Sequence, residues 1–310
     1  MTDHASSTSA RPPGWADYAL LLLIGLILGS NFMMTKITVQ ALPPMLVVVC
    51  RIALASVFLC TLMVLARKWF PPRGPIWWSI VGSAFFGHTL PFALIAWGQQ
   101  KVDAGLAAIL MATMPLFTLL LAQLFTRDEK PNRYSVCGFV IALAGIVILF
   151  GPEKLASLAD QSLRQYALVG AAMCYGVNAI ITKNLTSMDW QQSTATFMCV
   201  ALAFALPLLL LVDFDVAHAA PHVWFTVLYT GIVPTAIGAV LIVFLIRRAG
   251  ASFLSQINFL VPLVGVGTAM AFLGERLPAN GALALFIILV GVAIARRRPK
   301  RELISINKGV

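Results

Sequence analysis

GSNFMMTK (Gly29 to Lys36) closes a long apolar run near the start of this chain, and GVNAIITK (Gly176 to Lys183) closes another far downstream. Gly, Asn, Thr and Lys agree in place, at an offset of 147 residues. The same offset carries Leu94 onto Leu241, Pro115 onto Pro262 and Pro131 onto Pro278. A mid-run proline and a loop proline that both recur without a gap mark one unit written twice. Each copy holds five apolar runs. Five is odd, so in a bilayer the second copy must enter upside down relative to the first. That is the inverted-repeat plan of secondary transporters, which places a substrate site near the midplane between the halves.

The composition agrees with a bilayer setting. Of 310 residues, 60% are hydrophobic and only 11% charged, too few charges to coat a soluble surface. Ten runs of spanning length are expected, at 16–36, 43–66, 76–98, 104–125, 134–150, 165–183, 193–212, 223–246, 252–273 and 279–295. The fold class is therefore an all-α membrane protein of ten transmembrane helices in two inverted five-helix repeats. Residues 1–15 read as a cytosolic tail, 16–150 as the first repeat, 151–163 as an extracytoplasmic connector, 164–296 as the second repeat and 297–310 as a basic cytosolic tail. With both termini placed in the cytosol, 16 lysines and arginines fall inside and five outside, which predicts a multi-pass inner-membrane protein with cytosolic ends. The formal charge of +10 lies mostly in loops between apolar runs and not beside stacking aromatics, so nucleic acid is excluded as a partner. The ligands expected are a small-molecule substrate and the lipid bilayer, with the chain a monomer or homodimer.

Cys50, Cys60, Cys137, Cys174 and Cys199 all lie in apolar runs without CxxC spacing and read as small hydrophobes. His218 and His222 share a loop with Asp213 and Asp215, in no strong metal-binding pattern. No catalytic residue, metal site or cofactor is expected, and no GxxxxGK[ST] phosphate loop occurs.

WADYALLLLIGLILGSNF, DAGLAAILMATMPLFTLLLAQLF (Asp103 to Phe125) and ASFLSQINFLVPLVGVGTAMAFLGERL (Ala251 to Leu277) resemble EamA-type members of the drug/metabolite transporter superfamily. The resemblance covers nearly the whole chain after residue 15. It implies a ten-helix inverted repeat in the plasma membrane that moves small metabolites, often exporting amino acids, without ATP. The chain departs from the pattern once. TRDEKP (Thr126 to Pro131) stands where the second half has LGERLP (Leu273 to Pro278): the acid is kept, as Asp128 against Glu275, but the glycine before it is lost. Glu275 is assigned no role on this basis.

Polar groups inside spans are costly, so each needs an account. Arg51 sits about 12 Å into the second span by helical rise, with no carboxylate at similar depth in the sequence. It either holds backbone carbonyls or meets a substrate carboxylate with its planar fork. His88 is the only histidine well inside a span and is the residue to carry proton coupling, if transport is proton-coupled. The repeat mates Asn31 and Asn178, with Gln256 and Asn258, offer polar groups to a substrate or to neighbouring helices. Met111, Met114 and Tyr175, with Trp97 and Tyr229, would form an adaptable apolar lining. Pro115, Pro262 and Pro91 are hinge or gate candidates, since a proline frees a carbonyl one turn earlier. The expected function is a secondary active or facilitative exporter of small metabolites, foremost amino acids, by alternating access. A multidrug exporter of lipophilic compounds is the alternative, followed by a membrane enzyme acting on lipids.

Overall fold

The computed structural model describes residues 13–125, 133–150, 160–183, 185, 188–212 and 220–296. Residues 1–12 and 297–310 of the tails, 151–159 of the connector, Asp128 and Pro131, and the loop with Asp213, Asp215 and His218 lie outside the described residues, and residues 160–163 of the expected connector open a helix. Among the described residues there is no strand. Ten helical spans follow in order: α1 Trp15–Ala41, α2 Pro44–Leu65, α3 Ile76–Gln99, α4 Ala104–Phe125, α5 Arg133–Phe150, α6 Asp160–Thr182, α7 Trp190–Leu211, α8 Pro221–Ala249, α9 Ala251–Leu273 and α10 Gly281–Ala295. Eight are long and apolar enough to cross a membrane; α5 and α10 are shorter apolar helices.

The helices pack in pairs that the repeat exchanges. α1 lies against α9 as α6 lies against α4, and α2 meets α8 as α7 meets α3. α2 with α7 and α5 with α10 are each a helix against its own repeat mate. The opening phrase explains the first exchange. A Cβ on Gly29 would stand 2.5 Å from Val264 and 3.0 Å from the Gly265 nitrogen, and one on Gly176 would stand 3.0 Å from the Phe117 carbonyl carbon and the Thr118 nitrogen. Phe117 and Thr118 are the repeat mates of Val264 and Gly265. Each phrase thus supplies the glycine that brings its helix backbone against a partner, the usual way helices close in lipid.

Irregularities interrupt corresponding spans of the two halves. α3 opens into a π-turn at Phe85–Thr89 and α8 at Gly231–Ile237. Pro91 follows the first and Pro234 lies in the second, so the wide turns absorb the bonds those prolines cannot make. α4 breaks at Ala112–Thr113 and α9 at Ser255–Gln256. At the end of the molecule that holds the α2–α3 and α6–α7 turns, Lys68 pairs with Asp189 at 2.6 Å and holds that carboxyl below its ordinary range.

Candidate functional site

α1, α2, α3, α4, α6, α7, α8 and α9 enclose a cavity of about 480 Å³, and α5 and α10 contribute nothing to its wall. Of the residues singled out from the sequence, Asn31, Arg51, His88, Met111, Met114, Pro115, Tyr175, Asn258 and Pro262 line it. Asn178, Gln256 and Pro91 do not. Asn178 is engaged behind the wall, where its side-chain oxygen accepts from the Ser83 hydroxyl. Gln256 is exposed, and Pro91 is buried inside α3. Trp97 lies instead beneath the Arg164 guanidinium, 4.0 Å away, and Tyr229 pairs its hydroxyl with that of Ser30.

Arg51 is 7% exposed. Its Nε donates to the Thr235 hydroxyl at 2.7 Å, and its guanidinium carbon stands 4.0 Å over the Phe92 ring. The Thr235 hydroxyl donates onward to the Thr230 carbonyl, five residues back across the π-turn of α8. Among the described residues Arg51 makes no ion pair, and no Asp or Glu lines the cavity. Among the described residues its two terminal nitrogens find no protein acceptor. A buried cation left this way can receive an anion. His88 sits between the Phe92 and Phe197 rings, 5.9 and 6.4 Å from their centres.

The offset of 147 runs through the site. Arg51 maps onto Met198 and His88 onto Thr235, and all four line the cavity. Thr235, Met198 and Phe92 were not singled out from the sequence. The offset itself was the signal that pointed to the first two.

The wall reaches the α8–α9 junction through Ile242, Ala251, Leu254 and Ser255. The corresponding start of α4 is sealed. Both oxygens of Glu275 accept from its first backbone amides, Ala104 at 2.8 Å and Gly105 at 2.9 Å. Lys36 donates to the Gln99 and Val102 carbonyls at 3.0 and 2.9 Å and lies 3.8 Å from Asp103. Gln99 in turn donates to the Phe32 carbonyl. Gly274, at φ +65, takes the left-handed turn that swings Glu275 onto α4. This is the role that the sequence alone left unassigned. Glu275→Ala removes a charged partner from two amides at once, and a melting midpoint in detergent should fall by the equivalent of about 2 kcal/mol; Glu275→Gln, which keeps one acceptor oxygen, should lose about half of that. Equal midpoints for all three proteins would show that the contact does not hold this end shut.

An inverted pair of five-helix bundles around a cavity with a buried arginine on its wall is the architecture of a polytopic membrane transporter. The chain matches the EamA-like transporter family over residues 15–151 and 165–297, and it belongs to that family. It is 25% identical over 291 residues to Protein PagO of Salmonella typhimurium, covering 90% of this chain and 93% of that one. It is 28% identical over 206 residues to a probable terminal-alkyne amino-acid exporter of Streptantibioticus cattleyicolor, covering 66% and 68%. A probable amino-acid metabolite efflux pump of Escherichia coli is 23% identical over 292 residues, covering 90% and 94%. A solved crystal structure superposes with a TM-score of 0.61 at 17% identity, over 89% of this chain and 97% of the other, and shows the fold.

Proposed function

We propose that the protein exports small carboxylate-bearing metabolites, foremost amino acids, across the inner membrane by alternating access. The observation that carries this reading is Arg51: a buried residue whose guanidinium is held by Thr235 and Phe92, with N–H groups unpaired among the described residues, in a cavity whose wall bears no acid. The names of two relatives, an amino-acid exporter and an amino-acid metabolite efflux pump, support it. A lipophilic cation would meet no counter-charge here, which weighs against the multidrug reading. With both termini cytosolic, as the basic loops favour, the cavity extends toward the cytosol, while Glu275 and Lys36 close the outer end. This is the form that would load a substrate for export.

Uptake of a labelled panel into proteoliposomes tests the reading: a neutral amino acid, an anionic metabolite and a lipophilic cation. Saturable movement of the amino acid that Arg51→Lys removes is the expected result, because a point charge cannot present two parallel N–H groups. Movement of the cation alone, unchanged in the Arg51→Lys protein, would sink it. Proton coupling through His88 predicts that His88→Gln flattens the pH dependence of uptake. An unchanged pH profile removes His88 from that role.

A further inference from the structure

The other end of the substrate is addressed by a break in α4, on the reading that Arg51 takes the carboxylate. The span is interrupted at Ala112 and Thr113, between helical segments Ala104–Met111 and Met114–Phe125. Pro115 has no N–H to return to the Met111 carbonyl. The amides that follow turn elsewhere: Leu116 and Phe117 both donate to the Thr113 carbonyl, at 3.0 and 3.3 Å. The Thr113 amide and hydroxyl both donate to Leu110. Among the described residues no donor reaches the carbonyls of Met111 and Ala112. Both residues line the same cavity as Arg51. They also end a helical segment, where the backbone dipole is negative. The break in α9 is spent differently: the Ser255 carbonyl accepts from the Asn258 amide, the Asn258 side chain and Arg296, and the Gln256 carbonyl accepts from Phe259.

Unpaired carbonyls inside a bilayer are tolerated where they face water or a ligand. The geometry points to a zwitterion site with two poles: the Arg51 guanidinium takes the carboxylate, and the Met111 and Ala112 carbonyls take the ammonium. The substrate class is an α-amino acid with an uncharged apolar side chain, which lies against wall residues such as Met114, Ile257 and Val261. A cavity of this kind accepts an amine without an acidic side chain, which is why none is needed on the wall. A plain carboxylate leaves the carbonyls unpaired, and a plain amine leaves Arg51 unpaired.

The test is binding of labelled L-leucine to the purified full chain in detergent, with 4-methylpentanoate, 3-methylbutylamine and N-acetyl-leucine as competitors. Leucine should compete at concentrations at least about tenfold lower than any of the three, since each lacks one charged partner. Pro115→Ala restores an amide N–H that can reclaim the Met111 carbonyl. It should weaken leucine about tenfold and leave 4-methylpentanoate unchanged. Equal weakening of both ligands would make Pro115 a packing kink and overturn the amine pole. So would a wild-type protein that binds 4-methylpentanoate and N-acetyl-leucine as well as leucine, a result that leaves the Arg51 reading standing and does not depend on the variant folding. If only the amine competes, or leucine does not bind, the Arg51 reading falls and the inference with it.

Discussion

Arg51→Met is expected to end carboxylate transport while the protein melts at or above the wild-type temperature. The two effects come from one cause. Arg51 is 7% exposed and faces no carboxylate among the described residues, so most of its lost hydration goes unreturned within the protein. The bond to Thr235 and the Phe92 ring offset part of that cost. Methionine fills similar volume without a charge and leaves the Thr235 hydroxyl still donating to Thr230. Two charge-assisted bonds to a substrate are together worth about 3 kcal/mol or more, so transport should fall at least about a hundredfold. Relief of the buried charge should add about 1 kcal/mol of stability. The measurements are initial rates in proteoliposomes and a melting curve in detergent. A large fall in melting temperature together with lost transport would make Arg51 a structural residue that anchors α2 to α8.

Gly138→Val should prevent accumulation of folded protein. A Cβ at Gly138 would stand 2.4 Å from both the Ala295 nitrogen and the Gly291 oxygen, which are backbone atoms of α10. No side-chain rotation can clear them, so α5 and α10 must separate along their length. Gly291 is packed nearly as tightly from the other side, where an added Cβ would stand 2.6 Å from the Gly138 oxygen. Overpacking costs about 1–3 kcal/mol where neighbours can yield and more where they cannot. Gly29→Ala is the instructive contrast, because its nearest clash at 2.5 Å is with the Val264 side chain. Val264→Gly should rescue it in part, whereas no substitution of a neighbour's side chain should rescue Gly138→Val. Yield of monodisperse protein after detergent extraction reads both cases. Normal yield of Gly138→Val would mean that the α5–α10 pair is looser than this structure has it.

The spans were legible because a bilayer forces continuous apolar runs, and the repeat was legible because a gapless offset preserves glycines and prolines where backbones touch or bend. Arg51 and His88 stood out because polar groups are rare at that depth. What the letters could not supply was facing. These helices are apolar on both their lipid and their core sides, so no amphipathic stripe shows which side turns inward. Asn31 and Asn178 occupy matching positions, yet only Asn31 reaches the cavity, because Ser83 engages Asn178 while the residue equivalent to Ser83, Thr230, donates to Val227 instead. Gln256 fell outside the wall for the same reason: one residue of rotation separates it from Ile257, which lines the cavity. Glu275 was visible as a letter, but its work depends on the α4 amides that packing brings to it.

The two π-turns, at Phe85–Thr89 and Gly231–Ile237, write the repeat into the backbone as well as into the letters. The side chains around the chamber show where the halves part: where one half has Arg51 the other has Met198, and where one has His88 the other has Thr235. Two identical halves would give a cargo no reason to sit one way round. Unequal halves give the chamber a head and a tail.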